Sequence, residues 1–425
     1  MADDRRPTRT AWWPAATLVL CLSLACQAPR MAAQDGATPS PGAATATATV
    51  AVGAVVAPTT QPPPAPPPTP QPTAAPGAAA LQTEVIIRGL DTPWALAFAP
   101  DGRMFISERP GRIRVVKDGQ LVEEPWMQLP VVEVSEAGQL GLALDPQFAE
   151  NRFVYTAYTY RGANGRLTNR LVRLRDDPAA GAAGRGSLDA VLLDGVPGNN
   201  NHDGGRVSFG PDGKLYWSVG DAQSSEQSQN PGSLAGKILR FNPDGSIPAD
   251  NPSPGSPVYS FGHRNVQGLA WQPETGRLYA TEHGPTGDAG RGCCRDEVNL
   301  VEPGVNYGWP VITGDERHDG MRSPIIHSGT SATWAPAGAT FVTHGPWRGS
   351  FLFTGLASQG LFRLTLDPAE PHTVLNLEVL LQRQFGRLRD VVEGPDGALY
   401  LLTSNRDGRG NPAPDDDRII RLIVS

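Results

Sequence analysis

Cysteine is scarce in this sequence, and where it falls excludes several chemistries at once. Of the four cysteines, Cys21 and Cys26 belong to the signal-like region of residues 1–26 and Cys293 and Cys294 are adjacent, so zinc is disfavoured. No Cys-x-x-Cys-His occurs, which rules out a covalently attached c-type haem and sends the electrons of any redox reaction to a separate carrier. Long basic runs are also missing and the formal net charge is -7 at pH 7, leaving no electrostatic footprint for nucleic acid or an anionic membrane surface. The apolar stretch from Ala11 to Ala25 is shorter than the roughly 20 residues of a membrane span. No sustained heptad or long amphipathic helix pattern is present.

Gly (48) and Pro (42) are abundant instead, with aromatic residues spread along the chain, a composition that suits many short strands joined by tight turns. Arg5, Arg6 and Arg9 ahead of the apolar stretch give residues 1–26 the form of a signal peptide, so the protein is expected to be exported to the periplasm or cell surface. Cys26 follows Leu22-Ser23-Leu24-Ala25, similar to a lipoprotein cleavage site but with Ser where a branched aliphatic residue is usual. Lipid anchoring through Cys26 and simple cleavage both remain open. Residues 27–80, dominated by Ala, Thr and Pro, hold too little apolar side chain to offset backbone ordering and read as a disordered, partly polyproline tether.

From Leu81 to Ser425 one pattern recurs six times: an apolar strand, a turn often written Pro-Asp-Gly, and a second strand rich in aromatic and β-branched residues. The copies begin at Leu96, Leu142, Val207, Leu269, Ala339 and Val391. Pro presets φ, Asp bonds the local backbone and Gly accepts positive φ, so each copy is a hairpin. Repeats spaced by roughly 45 to 75 residues are too long and uneven for a β-solenoid and fit an all-β, six-bladed propeller of four-stranded antiparallel blades with extended loops. An early strand, Glu84-Val85-Ile86-Ile87, and a late one, Arg418 to Ile423, are placed to complete one blade from both chain ends and so remove exposed sheet edges.

Polar residues that turns do not explain flank these hairpins. His202, in Asn200-Asn201-His202-Asp203-Gly204-Gly205-Arg206, sits at a strand entrance, where an imidazole is suited to accept a hydroxyl proton. Asp221, at the far end of the same hairpin, is suited to hold that ring in one tautomer. A loop histidine bonded to backbone and a simple turn aspartate are the competing readings of these two. Arg264, Arg387 and Arg389 supply cationic forks for an anionic ligand, against the alternative of solvated surface arginines. The loop from Glu282 to Glu297 combines Gly, Pro and acidic residues, a donor set that suits calcium. Within it Cys293 and Cys294 either form a vicinal disulfide or remain free, and an oxidising compartment favours the disulfide.

Taken together, Gly89 to Leu96, Gly138 to Ala143, His202 with Gly204-Gly205-Arg206, Gly262-His263-Arg264-Asn265, Glu282-His283-Gly284-Pro285, Asp296 to Leu300, Asn306 to Pro310 and Arg387 to Asp390 resemble the soluble pyrroloquinoline quinone (PQQ) dependent glucose and aldose sugar dehydrogenases. The resemblance covers Leu81 to Ser425. It implies oxidation of the anomeric hydroxyl of an aldose to a lactone, with an external electron acceptor. It also implies His202 as the base, Asp221 as its orienting carboxylate and Arg264 stabilising the quinone oxyanion. Asn265, Arg387 and Arg389 would bind PQQ, and the main-chain oxygens of Gly284 and Pro285 a catalytic calcium. Glu297 and the Tyr307 carbonyl are similar to a second, structural calcium site.

Three departures mark this chain. Leu356-Ala357-Ser358 replaces a cofactor-contacting Lys of the glucose dehydrogenases, Glu136 stands where they carry Gln, and the insertion Gly287 to Cys294 has no assigned counterpart. A calcium-dependent lactonase-type hydrolase and a non-catalytic binding propeller are the other two readings. A neutral lactone needs no paired arginines, and a binding module needs no His202, Asp221 and Arg264 set.

Overall fold

The computed structural model describes residues 81–425, so the expected signal peptide, Cys26 and the tether lie outside the described residues. Six antiparallel sheets follow one another in chain order. Blade 1 comprises Pro93–Phe98, Met104–Glu108 and Arg112–Lys117 with an outer edge in two pieces, Gln120–Leu121 and Met127–Gln128, split around Pro125. Blade 2 is Gln139–Leu144, Phe153–Arg161, Leu167–Asp177 and Arg185–Pro197. Blade 3 is Val207–Phe209, Leu215–Val219, Lys237–Phe241 and Val258–Phe261. Blade 4 is Val266–Trp271, Leu278–Glu282, Glu297–Val301 and Ile326–His327, and blade 5 is Pro336–Phe341, Phe351–Gly355, Gly360–Leu366 and Val374–Leu380. Blade 6 takes Leu388–Glu393, Leu399–Thr403 and Ile419–Val424 from the end of the chain and Leu81–Ile87 from the start of the described region. The expected closure is therefore present, with Leu81 opposite Val424 and Ile87 opposite Ile419.

The Pro-Asp-Gly copies fold as expected. In each, a closing backbone bond returns from Gly102 to Ala99, from Gly213 to Gly210 and from Gly397 to Gly394, and all three turn glycines have positive φ. Strand alternation then sends side chains to two different neighbours. Leu215, Trp217 and Val219 pack with Tyr155 and Leu171 of blade 2, while Tyr216 between them packs with Leu269 and Leu278 of blade 4. The same division recurs in blade 6, where Leu399 and Leu401 face blade 5 and Tyr400 and Leu402 face blade 1. Six apolar clusters result, one at each junction between adjacent blades.

The first strand of each blade lines the central channel. Across it, Arg206 at the entrance of blade 3 makes a bidentate pair with Asp390 of blade 6 at 3.0 and 3.2 Å, and donates to the Gln267 carbonyl at 2.9 Å. Both charges are buried, so the geometry has to be complete to offset desolvation. Gly338 permits it, because a Cβ there would lie 1.7 Å from Asp390 Oδ1. Gly338→Ala is therefore expected to destabilise the fold by about 1–3 kcal/mol through overpacking, read as a lower urea midpoint. An unchanged midpoint would show that Asp390 has room to move.

Candidate functional site

The hairpin turns leave one face of the ring, and the loops entering each blade gather at the other. There they enclose a cavity of about 380 Å³ lined by residues from every blade, including Trp94, Leu140, His202, Arg264, Leu356 and Arg389. His202 lies on the loop entering blade 3 with φ +62, a left-handed conformation uncommon for a residue with a side chain. Its carbonyl passes so close to the next loop that a Cβ on Gly220 would sit 2.0 Å from it. This approach brings His202 Nδ1 to 2.8 Å from Asp221 Oδ1. Asp221 is buried and also accepts from the Gln223 N–H at 2.8 Å and from Trp309 Nε1–H at 2.8 Å. A carboxylate held by three donors cannot rotate away, so it favours the proton on Nδ1 and leaves Nε2 with a free lone pair.

The cationic side of the cavity is built by blades 4 and 6. Arg387 donates to Asp407 at 2.8 Å and to the Leu356 carbonyl at 3.1 Å, and Arg389 donates to Gln267 Oε1 at 2.7 Å. Arg389 is buried, its Nε–H has no partner, and burial together with the nearby charges of Arg387 and Arg109 lowers it to about 9. His283 is half-buried, with its Nε2 enclosed and unpartnered; desolvation first, then Arg264 and Arg389, bring its imidazole down to about 4, so it is neutral at pH 7. Such unpaired polar atoms facing a cavity cost free energy unless a ligand meets them. A buried guanidinium with a free N–H donor fits an anionic, acceptor-rich molecule.

Glu136 does not leave a free negative charge in this cradle. It accepts from Arg409 at 2.6 Å and from the His202 N–H at 3.2 Å, and although burial alone would raise its carboxyl, the facing His283 ring when protonated and the Arg409 guanidinium hold it below the usual carboxylate range. Arg264 is also engaged. Its Nε and Nη2 donate to the two oxygens of Asp288 at 2.7 and 3.1 Å, and Nη1 donates to the His283 carbonyl at 3.2 Å.

Beside the main cavity, a void of about 10 Å³ is lined by Glu282, Gly284, Pro285, Glu297, Tyr307 and Thr313, among others. Glu297 is pushed up to about 8, by burial first and then by the charge of Glu282. Asn299 Oδ1 and Thr313 Oγ1 are buried without partners in the same neighbourhood. An oxygen-rich pocket with an uncompensated carboxylate is the donor chemistry of a hard cation. The residues present therefore fit calcium.

The model of the family described as glucose / sorbosone dehydrogenase matches residues 90–421. The chain belongs to that family. An uncharacterized protein of Synechocystis is 36% identical over 76% of this chain and 84% of its own length. An aldose sugar dehydrogenase of Escherichia coli is 31% identical over 78% of this chain and 92% of its own. The PQQ-bound aldose sugar dehydrogenase of Streptomyces coelicolor superimposes with a TM-score of 0.73 at 36% identity, covering 83% of this chain and 100% of that structure.

In this member of the family, His202, Arg264, Gly284, Arg387 and Arg389 line the main cavity, with Asp221 buried directly behind His202. Pro285, Glu297 and Tyr307 line the small void instead. Asn265 is buried outside the cavity lining, with its Oδ1 accepting the Gly204 N–H at 3.0 Å and its Nδ2 unpartnered. Cys293 and Cys294 are disulfide-bonded. Sequence reasoning did not assign Trp309, Asp203, His283, Arg409 or Asp288. Trp309 and Arg409 find their partners far away in sequence, and Asp288 lies on an unfamiliar insertion.

Asp203 gives a pH test of this geometry. Its carboxyl is pushed up to about 7 by burial, against hydrogen bonds from Asn169 and Asn199, and its Oδ2 is unpartnered. In the unfolded chain it titrates near 4, so between about pH 4 and 7 the folded state keeps a proton that the unfolded state has lost. Stability contributed by this group falls as pH rises through that window, and the penalty is complete above pH 7. Asp203→Asn should therefore raise Tm over wild type at pH 8, with the difference vanishing near pH 4, followed by circular dichroism. A difference independent of pH would contradict the assignment.

Proposed function

We propose that this protein is a PQQ- and calcium-dependent aldose dehydrogenase that oxidises the anomeric hydroxyl of a sugar to a lactone and passes electrons to an external acceptor. One observation carries the reading: a histidine oriented by a buried aspartate shares a cavity with three buried arginines, of which Arg389 keeps an unpartnered N–H. PQQ supplies, when bound, a quinone able to accept hydride, and calcium polarises that quinone as a Lewis acid. Arg264, Asn265, Arg387 and Arg389 are the residues that would hold the anionic cofactor. The main-chain oxygens of Gly284 and Pro285 would serve the catalytic calcium, and Glu297 with the Tyr307 carbonyl a structural one.

His202 Nε2 takes the proton of the sugar hydroxyl as hydride leaves the same carbon, and Asp221 stabilises the imidazolium that forms. Trp309 fixes Asp221 from behind, so the dyad does not have to reorganise during proton transfer. Export to the periplasm or cell surface, with or without lipid at Cys26, is part of the proposal.

The test is dye-linked oxidation of a panel of aldoses by the purified full chain, with and without PQQ and calcium. Activity should require both, and His202→Ala should lower kcat by roughly 10²- to 10⁴-fold, the usual contribution of a general base. Lactone hydrolysis without PQQ, and no dye reduction with it, would overturn the proposal in favour of a hydrolase.

A further inference from the structure

The insertion Gly287 to Cys294 delivers a carboxylate into the cavity. Asp288 fills the side-on fork of Arg264, and its own Oδ1 accepts the Thr286 N–H at 2.7 Å, so the pair is built by the loop's backbone as well as by charge. Burial alone would raise the Asp288 carboxyl, but the Arg264 guanidinium holds it below the usual range. Single ligand-type atoms of Asp288, His202 and Asp221 lie within 4.8 Å of one another. The carboxylate therefore stands where a ligand bound against both His202 and Arg264 would have to sit beside it.

The loop is clamped on its other side. Arg291 donates to the Pro310 carbonyl at 3.1 Å, to Glu316 at 2.6 Å and to the Val311 carbonyl. Around these two anchors, Gly287, Gly290 and Gly292 face open space, and a Cβ at any of them would meet nothing within 4 Å. Asp288 thus rides on a segment that is tied at two points and packed lightly elsewhere.

We infer that Asp288 is an internal anion that competes with the anionic cofactor for Arg264, and so sets how tightly this chain holds PQQ. Two like charges on one guanidinium in a partly buried cavity repel, so the cofactor either displaces Asp288, swinging the loop, or binds against its charge. In both cases removing the charge strengthens binding. The inference rests on the proposed PQQ function and adds a residue that determines its affinity.

The experiment is a titration of the cofactor-free full chain with PQQ in calcium buffer, followed by quenching of tryptophan fluorescence, which reads binding without turnover. Asp288→Asn keeps the shape and removes the charge, and should lower Kd by roughly tenfold to a hundredfold, the range for one charge-assisted pair. Asp315→Asn removes a carboxylate whose partner is His327, away from Arg264, and should leave Kd unchanged. An equal or weaker Kd in Asp288→Asn, or an equal gain in both variants, overturns the inference while leaving the PQQ reading intact. Failure of wild type and both variants to bind PQQ overturns the function proposal itself, and the inference with it.

Discussion

Every blade buries both of its faces, each against a different neighbour, and the rest of the structure depends on that constraint. A sheet whose odd residues belong to one core and even residues to another has no stable surface of its own. The ring must close, and it does so by pairing Leu81–Ile87 with Ile419–Val424, which joins the two ends of the described region within one sheet. Closure fixes the six inner strands around one axis, and the loops that enter them inherit that precision.

The site exploits this rigidity by distributing its parts. His202 enters blade 3, Arg264 enters blade 4, Arg387 and Arg389 enter blade 6, and Trp309 reaches Asp221 from 88 residues away. No single blade holds a complete site. The buried pair of Arg206 and Asp390 ties blade 3 to blade 6 across the channel, in the layer beneath the cavity. Unpartnered polar atoms at Arg389 and His283 then mark where the fold has left its own hydrogen bonding incomplete at the place where a ligand would complete it.

Much of the fold was legible because local chemistry repeats. Pro-Asp-Gly dictates a turn wherever it occurs, and six apolar hairpins at blade spacing leave few architectures other than a propeller. The split outer edge of blade 1 and the 13-residue strand Arg185–Pro197, rich in turn-type residues, were not legible, since pairing along an edge overrides weak local preference. In the site, His202 and Asp221 could be matched because one hairpin separates them. Glu136 could not be judged from sequence, because the Arg409 that pairs with it lies 273 residues on. The pairing of Asp288 with Arg264 depends on how an insertion folds back over the cavity, and no periodicity or motif encodes that.

The central claim is that the arginine cluster of this cavity holds one anionic quinone per chain. Equilibrium dialysis of PQQ against the calcium-loaded protein, with retained cofactor measured by absorbance, tests it most directly. The account predicts one equivalent retained by wild type and little by an Arg387→Ala, Arg389→Ala double variant that keeps the wild-type circular dichroism. No retention by wild type, or equal retention by the double variant, would contradict it.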